Sequence, residues 1–562
     1  MSRLQKSIRN RRYNLKKEVS ISLVLDVRTS ETLKLNVIDC SANGIRGSLS
    51  ENTGEDLDWA VIGDIISSSK IIWDGHEVSL GRLVLRRHAT LENNVSEFAF
   101  STVDIQIPVS GILSKYVEID LEHDWSSSDK ELSSDKFNLA NFVENENQNV
   151  DLFDRMREFS FFHREWVNSK KYAYQNIRTA SKGPRVDLRR KRKSGRNDYL
   201  VMGSNDYLGL GSHPEVVEAA KLALDKYGFG STGSPVTTGQ TDLHVELCEK
   251  IARIHNKEAA LLFNSGYAAN IGIISAVTTL GDLVIADQLC HASIQDGMTM
   301  SKATSRFFKH NNPEQLRAIL EKERANFNGC LVITEGVFSM DGDVACLDKI
   351  YAIAREFNCR LMVDQAHCFG VVGPNGLGVC DKYNLMKETD IIMGTFSKIC
   401  GAIGGFVTGS KDLIDWLRSF SRAQMFSVSL PPSTVAAVSK SLDVFTNNKM
   451  ILENLRSNVK HFISCLANLG YQNQSNHESA VIPVVIGDES IMGEMYQSLL
   501  DDGIICTPVV YPAVGRKNCR FRFTVMASHS KSDLDYAVAC LEKAMLRTGF
   551  KFTQLDQTKK AS

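Results

Sequence analysis

Two short apolar runs, each ending in polar residues, constrain this chain more than any other feature. Residues 360–363 (RLMV) lead into 364–367 (DQAH), and residues 391–393 (IIM) lead into 394–398 (GTFSK). Their separation is that of one strand-helix-strand unit, and buried parallel strands deliver side chains at their carboxyl ends in this way. The pattern therefore predicts an α/β domain in which Asp364 and Lys398 meet at one edge of a parallel sheet.

An acid and a lysine in this order indicate a site for pyridoxal 5'-phosphate (PLP). A lysine amine condenses with the aldehyde of this cofactor, and the pyridine ring accepts electrons only while its nitrogen stays protonated. A nearby buried carboxylate favours the protonated nitrogen. We therefore predict that Lys398 holds the aldehyde and Asp364 the ring nitrogen. A core aspartate and a surface lysine would explain either residue alone.

Composition limits the classes of partner and compartment. The 562 residues include 65 basic and 66 acidic ones, so we expect several domains and no nucleic-acid partner. The 13 cysteines form no Cys-x-x-Cys pair, which favours reduced thiols in the cytoplasm over disulfides or a metal site. Residues 1–17 lack the apolar core of a signal peptide, and no apolar run spans a bilayer. At most, we expect peripheral membrane contact.

The pattern of residues changes along the chain and predicts four segments. Alternating β-branched residues between Val19 and Asp104 indicate a small all-β domain, assigned to residues 1–120. Residues 121–150 are acidic and serine-rich, which is typical of a linker. Helical periodicity then alternates with short strands over 151–440, the predicted catalytic domain. Residues 441–562 mix helices and strands and are expected to form a smaller α+β lobe.

Five further blocks accompany the acid and the lysine in a fixed order. They are 205–209 (NDYLG), 264–270 (NSGYAAN), 291–293 (HAS), 334–343 (TEGVFSMDGD) and 427–432 (SVSLPP). The whole set resembles the α-oxoamine synthase family of fold-type-I PLP-dependent transferases, from about Tyr199 to the end of the chain. Members join an amino acid to an acyl thioester with loss of carbon dioxide. The resemblance implies a PLP-dependent acyltransferase that uses acyl-CoA or acyl-carrier protein and forms a homodimer.

The cofactor phosphate is assigned to a helix amino terminus. Ser265, Gly266 and Tyr267 precede a helix, so their backbone amides can bind an anion there. Thr395 would add a hydroxyl to the same phosphate.

Three other blocks supply the rest of the predicted cofactor site. His291 can lie against the ring face and reach a substrate group with its nitrogen; the alternative is a polar residue at a helix start. By resemblance His367 contacts the phenolic oxygen of the cofactor, or it makes an indirect contact. Glu335 and Ser339 would close the floor of the pocket, unless Ser339 caps a helix.

The substrate carboxylate requires an arginine, because a planar guanidinium matches two oxygens. Residues 519–524 (CRFRFT) place Arg520 and Arg522 on one strand face, and we favour Arg522. Asn205 completes the predicted substrate site. Lys398, once displaced by the amino acid, would act as the base that removes the α-proton.

Two departures from the family pattern concern the substrate. Gln365 stands where relatives often carry a second acid, and residues 231–239 lack an arginine or histidine that some relatives have. The basic run 189–193 (RRKRK) is most simply a solvated hairpin, but it also suits acyl-carrier protein, coenzyme A phosphates or an anionic membrane. With the apolar residues of 202–209, it favours a lipid-type acyl donor.

The amino-terminal segment resembles a PilZ domain, a small β-barrel that binds cyclic di-GMP. The signature Asp-x-Ser-x-x-Gly begins at Asp39, and an arginine-rich half-motif precedes it, with lysine in place of its second arginine. Lysine keeps the charge but loses the bidentate fork, so a barrel kept only for docking is the alternative. The candidate ligand-binding residues are Arg11, Arg12, Lys16, Asp39, Ser41 and Gly44.

Two other functions are compatible with parts of the pattern. An aminotransferase on the same fold would exchange an amino group with a keto acid and release no thiol. A cyclic di-GMP-sensing adaptor with a decayed synthase lobe would need no intact catalytic residues, and the intact lysine, aspartate and histidines argue against it.

Overall fold

A computed structural model describes residues 174–192, 194–472 and 478–552, the backbone of strands between residues 13 and 102, and scattered helical residues between 153 and 167. The chain divides into two compact units, Met1–Ser133 and Ser134–Ser562. The predicted linker, residues 121–150, lies outside the described residues. The bounds of the four predicted segments stay predictions.

Within its described part, the first unit consists of antiparallel strands. The strands are β1 (Tyr13–Asn14), β2 (Ile21–Asp26), β3 (Thr32–Ser41), β4 (Gly44–Leu49), β5 (Ile65–Ile66), β6 (Ser68–Trp73), β7 (His76–Ser79), β8 (Leu83–Thr90) and β9 (Ser96–Thr102). They are ordered β5-β8-β9-β4-β3-β2-β6-β7, and β1 pairs with β3. The pairing agrees with the predicted all-β character, whereas the PilZ-like barrel stays a prediction. Arg11, Arg12 and Lys16 lie outside the described residues.

Fourteen strands are described in the second unit. They are β10 (Arg178–Lys182), β11 (Arg185–Leu188), β12 (Asp198–Val201), β13 (Ala259–Phe263), β14 (Leu283–Asp287), β15 (Thr304–Phe308), β16 (Cys330–Glu335), β17 (Arg360–Asp364), β18 (Ile391–Thr395), β19 (Gly405–Gly409), β20 (Val481–Val485), β21 (Ile504–Ile505), β22 (Thr507–Val509) and β23 (Arg520–Thr524).

The α-helices described after residue 174 are α1 (Pro214–Tyr227), α2 (Asp242–Ile254), α3 (Gly266–Val277), α4 (Ala292–Met300), α5 (Pro313–Glu323), α6 (Leu347–Glu356), α7 (Val379–Lys382), α8 (Lys411–Phe420), α9 (Arg422–Met425), α10 (Pro432–Asn447), α11 (Lys449–Asn468), α12 (Glu489–Asp501) and α13 (Lys531–Thr548). Two 3-10 turns cover Leu210–Ser212 and Arg324–Asn326. No helix in the described ranges is both long and apolar enough to cross a bilayer.

A seven-stranded sheet forms the centre of this unit, in the order β13-β19-β18-β17-β16-β14-β15. Its strands are parallel except β19, which runs antiparallel to β13 and β18. Side chains of one strand alternate between two apolar cores: Leu361 and Val363 belong to one, and Met362 belongs to the other. Both faces are therefore covered, which explains why these strands read as continuous apolar runs. The predicted α/β domain is confirmed.

The carboxyl-terminal lobe is built partly from earlier sequence. Strand β12 pairs in parallel with β21, so the hairpin β10–β11 and β12 share one sheet with the lobe. A second sheet has the order β20-β23-β22. It carries both arginines of the predicted carboxylate site.

The basic run that follows β11 is partly used in packing. The side chain of Arg192 is only 9% exposed, pairs with Asp198 at 3.0 Å and lies over the ring of Tyr199. Arg190 donates to Gln497 on α12 at 2.9 Å. These two arginines therefore join the hairpin to the lobe, which weakens the argument that the run is a docking patch for an acidic acyl donor.

Candidate active site

The carboxyl ends of β16, β17 and β18 meet at one edge of the central sheet. Register places Glu335 beside Asp364, and Asp364 beside Met393. A cavity of about 220 Å³ opens at this edge. Its lining residues are Ser265, Gly266, Tyr267, Asn270, His291, Ser293, Glu335, Asp364, Ala366, His367, Met393, Thr395, Ser397, Lys398, Ile403 and Gly404. The structure thus brings most of the predicted cofactor residues together.

Asp364 is buried and held in one orientation by two hydrogen bonds. One carboxylate oxygen accepts from the backbone N–H of Ala366 at 2.8 Å, and the other accepts from Nδ2 of Asn270 at 2.8 Å. The same amide nitrogen donates to Ser293 at 2.9 Å. An oriented carboxylate at a buried strand end is suited to pairing with a protonated ring nitrogen.

Lys398 follows β18 and lines the same cavity. Burial lowers the pKa of its amine, and the Arg522 guanidinium lowers it further, against the opposing effect of Asp364 and Glu335. A lysine that gives up its proton more readily is a better nucleophile and a better base at neutral pH. The environment of Lys398 therefore fits both roles that the sequence assigned to it.

The amino terminus of α3 forms an anion-binding cradle. The Oγ of Ser265 caps the helix by accepting from the backbone N–H of Ala268 at 3.0 Å. A Cβ at Gly266 would lie 2.8 Å from the Cβ of Thr395, so only glycine allows this approach of helix and strand. The first backbone amides of a helix lack intrahelical acceptors and suit a phosphate.

Hydroxyl groups surround this cradle, but their roles differ from the simple prediction. Thr395 donates to the backbone carbonyl of Gly404 at 2.9 Å, so its proton is already used within the protein. Ser397 lies 2.9 Å from the Thr395 hydroxyl and is exposed to the cavity. Ser397 therefore offers the cavity a hydroxyl group that was not among the predicted site residues.

His291 caps α4 at the cavity wall. Its Nδ1 lies 2.8 Å from the hydroxyl of Ser293, and its ring meets that of Tyr267 edge-on at 6.1 Å. Its backbone N–H donates to the Glu335 carboxyl group. Burial lowers the pKa of His291, so the imidazole is neutral at physiological pH and its face is available to an aromatic ring.

Glu335 and Ser339 were predicted together, but the structure separates them. Burial raises the pKa of Glu335 well above its ordinary value, and the neighbouring Asp364 charge raises it further. Burial therefore favours the protonated form of Glu335 in the cavity wall. Ser339 lies in a turn after β16 and is not among the residues that line the cavity.

A chain of polar contacts leads from His367 to the arginine strand. The Nδ1 of His367 lies 2.7 Å from the hydroxyl of Tyr207. Burial lowers the pKa of His367 far below its ordinary value, with help from Lys398 and Arg522, and burial raises the pKa of Tyr207 to about 12. Both groups are therefore neutral. Tyr207 also lies 3.4 Å from the amide oxygen of Asn205, which accepts from Arg522 at 2.8 Å.

The two arginines of β23 differ in their partners. Arg520 forms an ion pair with Asp341 at 2.6 Å and donates to the backbone carbonyl of Met340 at 3.2 Å. Arg522 donates to Asn205, while its buried Nε has no hydrogen-bond partner among the described residues. An unpaired buried donor is costly, so Arg522 is the arginine with capacity for a substrate oxygen.

These residues fit PLP. A lysine with a lowered pKa, an oriented buried carboxylate and a glycine-lined helix terminus surround one cavity, as an aldehyde, a ring nitrogen and a phosphate require. When bound, PLP supplies an electron sink for a carbanion formed at the amino acid. Lys398 would hold the cofactor and move the α-proton, and Asp364 would keep the ring nitrogen protonated.

Sequence reasoning missed three polar contributors to the cavity, namely Asn270, Ser293 and Ser397. Asn270 stands one helical turn after Gly266, so the two share a face of α3. That spacing is a usable signal. No local signal links Ser293 to Asn270, because their hydrogen bond joins two helices.

Comparison with known proteins identifies the class. Residues 197–541 match the family described as aminotransferase class I and II. An 8-amino-7-oxononanoate synthase from Treponema denticola is 41% identical over 59% of this chain and 84% of its own length. A serine palmitoyltransferase from Bacteriovorax stolpii is 40% identical over 61% and 82%. A solved serine palmitoyltransferase from S. paucimobilis superposes with a TM-score of 0.68 at 30% identity, over 71% of this chain and all of that one.

The chain therefore belongs to the aminotransferase class I and II family, with the fold of the fold-type-I PLP-dependent transferases. Within that family it is an α-oxoamine synthase. It is a PLP-dependent enzyme that condenses an amino acid with an acyl thioester and releases carbon dioxide. The predicted family, cofactor and reaction are confirmed.

Proposed function

We propose that the amino acid binds through its carboxylate to Arg522 and that a fatty-acyl thioester is the second substrate. The unpaired Nε of Arg522 supports the first part of the proposal, because it has no hydrogen-bond partner in the described part of the chain and the guanidinium charge acts on both Lys398 and His367. The likeness to serine palmitoyltransferases, whose name specifies a long acyl chain, supports the second part.

The remaining residues take roles that follow from their contacts. Asn205 orients the Arg522 guanidinium through its amide oxygen. His367, neutral and hydrogen-bonded to Tyr207, would hold the phenolic oxygen of PLP through its other ring nitrogen. His291 covers the ring face and Lys398 carries the α-proton.

A substrate panel tests this function. The PLP-loaded protein is incubated with single amino acids and with acyl-CoA or acyl-carrier protein of short and long chain length, while released thiol is followed. We expect thiol release with one small amino acid and a preference for long chains. Amino-group exchange with keto acids and no thiol release would favour the aminotransferase alternative.

The two arginines of β23 provide a matched pair for the carboxylate site. Arg522→Lys should raise the KM for the amino acid at least about tenfold, because lysine loses the bidentate fork, while the KM for the acyl donor changes little. Arg520→Lys removes a structural ion pair instead and should lower stability more than it changes that KM. Equal effects on the amino-acid KM would contradict the assignment.

We also propose a homodimer with the active site at its interface. Two apolar side chains that line the cavity are also exposed, Ile403 at 59% and Tyr267 at 45%. Phe426 and Val428, in the segment between α9 and α10, are exposed as well. A patch of this kind on an isolated protomer marks an interaction surface. Light scattering should give twice the protomer mass, and Ile403→Asp should shift it towards the monomer.

The amino-terminal unit is proposed to bind cyclic di-GMP, on the strength of its sequence signature alone. Calorimetric titration with the full chain tests this, with Asp39→Ala as the control variant. Absence of heat at micromolar ligand would leave only a docking role. A cytoplasmic location is proposed because every cysteine described after residue 174 is free, as is typical of a reducing compartment.

A further inference from the structure

Three metal-ligand side chains converge in the carboxyl-terminal lobe, far along the chain from the PLP residues. His461 and Cys465 lie on α11, and Asp535 lies on α13, which packs against it. The Nε2 of His461 is 2.6 Å from an oxygen of Asp535 and 3.6 Å from the sulfur of Cys465. That sulfur is 3.6 Å from the same carboxylate oxygen. The three ligand atoms form a small triangle.

The arrangement is that of a coordination site and not of a nucleophile relay. Residues four apart on a helix share a face, so His461 and Cys465 point the same way. In a nucleophile-histidine-acid relay the acid and the nucleophile address different ring nitrogens. Here Asp535 and Cys465 both approach Nε2. Three groups around one point are what a metal ion requires.

The edge lengths agree with a tetrahedral zinc site. Zinc bonds of about 2.0 Å to nitrogen and oxygen and about 2.3 Å to sulfur give ligand-ligand edges of roughly 3.3–3.6 Å. Both edges that include the sulfur of Cys465 already have this length. The edge from His461 to Asp535 is shorter, as in a hydrogen bond, and must open. The Asp535 side chain is 57% exposed, so it is free to move outward.

We propose that His461, Cys465 and Asp535 bind a zinc-class divalent ion that joins α11 to α13. A thiolate with an imidazole selects Zn²⁺ and similar borderline ions over Mg²⁺ or Ca²⁺, which prefer oxygen ligands. The thiolate and the carboxylate neutralise the charge of the ion. On binding, the Cys465 thiol loses its proton to solvent as the sulfur-metal bond forms. Water would take the fourth position on the solvent side.

The place of the site indicates its consequence. On α11, Asn458 donates from its amide to the backbone carbonyls of Met526 and His529, in the segment that connects β23 to α13. A metal bond between α11 and α13 would reinforce this connection. We therefore expect Zn²⁺ to raise the melting temperature of the protein and to leave the cofactor absorbance unchanged.

Metal titration of the full, PLP-loaded chain tests the proposal after dialysis against a chelator. Zn²⁺ should bind calorimetrically with a stoichiometry of about one per protomer. Co²⁺ should give tetrahedral d–d bands at the red end of the spectrum, where PLP does not absorb. His461→Gln and Cys465→Ser should each weaken Zn²⁺ binding at least about a hundredfold, more than the roughly 10–100-fold that the loss of an outer contact costs. Cys248→Ser, at a half-buried cysteine on α2, is the matched control and should bind normally.

Two results would overturn the proposal. One is the absence of Zn²⁺ binding by the stripped wild-type chain. The other is undiminished binding by both His461→Gln and Cys465→Ser, which would locate the ion elsewhere. Asp535→Asn provides a second test if either variant loses its PLP absorbance or its fold, because an exposed residue tolerates this change. It should weaken binding and reduce the zinc-dependent rise in melting temperature, and a wild-type response from it would also count against the site.

Discussion

The two edges of the central sheet carry similar residues but differ in chemistry. At the carboxyl edge, Glu335, Asp364 and Lys398 surround a cavity of about 220 Å³. At the amino edge, a cleft of about 770 Å³ is lined by Lys257, Arg360 and Asp390, among others. Size alone would choose the amino edge. Asp390 there pairs with Arg355 at 2.9 Å and with Arg360 at 3.1 Å, so its charge is satisfied by neighbours near solvent.

The carboxyl edge differs because burial displaces protonation equilibria there. Burial raises the pKa of Glu335 and lowers the pKa of Lys398 and His367. Groups with displaced pKa values close together can exchange protons with a substrate at neutral pH. Reactivity at the two edges therefore depends on buried titratable side chains that lie close together, and not on the volume of a cleft.

Substitution of the lysines at the two edges should give the largest difference in turnover. Lys398→Ala should abolish the visible absorbance of bound PLP and reduce turnover by at least about 10²–10⁴-fold, the range that a general base supplies. Lys257→Ala removes a lysine whose amine donates to the backbone carbonyl of Lys387, so activity per folded molecule should be unchanged. Spectra and thiol release check both. Turnover by Lys398→Ala at a normal rate would refute the site.

Substitution of the carboxylates at the two edges should give the second-largest difference in turnover. Asp364→Asn should lower turnover about a hundredfold or more, since a neutral amide no longer keeps the ring nitrogen protonated. Asp390→Asn should keep turnover but lower the unfolding free energy by about 1–3 kcal/mol, because its hydrogen bonds to Arg355, Arg360 and the N–H of Leu361 weaken. Steady-state rates and urea unfolding separate the two effects. An equal loss of turnover in both variants would contradict the proposed difference between the two edges.

The charged form of His310, at the carboxyl edge, should stabilise the folded protein. Burial opposes its charge, but hydrogen bonds to Asp287 and Asp343 raise the pKa of His310 to about 10. The unfolded value is about 6.5, so this contribution is complete below pH 6.5 and lost as pH rises through 10. His310→Gln should cost about 1.5–3 kcal/mol at pH 6 and less above pH 10. Urea unfolding at both pH values measures this, and an equal loss at both would contradict the assigned charge.

Glu335, whose protonated form burial favours, should tolerate an isosteric change. Glutamine resembles a protonated glutamic acid and still accepts from the backbone N–H of His291. Glu335→Gln should therefore reduce turnover by less than about tenfold, in contrast to Asp364→Asn. Turnover rates of Glu335→Gln and Asp364→Asn, measured in parallel, test this difference. A loss as large as that of Asp364→Asn would mean that Glu335 carries charge.

The smallest effect is expected at the amino edge. The Arg360 side chain is 73% exposed, and its ion pair with Asp390 is shared with Arg355. Exposed ion pairs contribute about 0–1 kcal/mol. Arg360→Ala should leave turnover unchanged and shift the unfolding free energy within that range. A clear loss of activity would require a function for the larger cleft.

The sequence located residues that line one cavity where each of them follows a strand or begins a helix. Asp364, Lys398 and Gly266 each stand at the end of an apolar run or the start of a helix, and local pattern locates such positions. Local pattern carries no information where contacts join distant segments. The basic run looked like a free patch, yet Arg192 pairs with Asp198 and packs on Tyr199. Ser339 belongs to a recognised block but does not line the cavity.

The sequence by itself determined the parallel sheet, the PLP-dependent class and the lysine and aspartate that line one cavity, because apolar periodicity and residue order encode them locally. Only the tertiary structure decided that Arg520 pairs with Asp341 while the Nε of Arg522 lacks a partner among the described residues. It also decided that His461, Cys465 and Asp535 meet. The physical reason is that burial and pairing depend on which distant segments pack together, and residue order alone does not fix that.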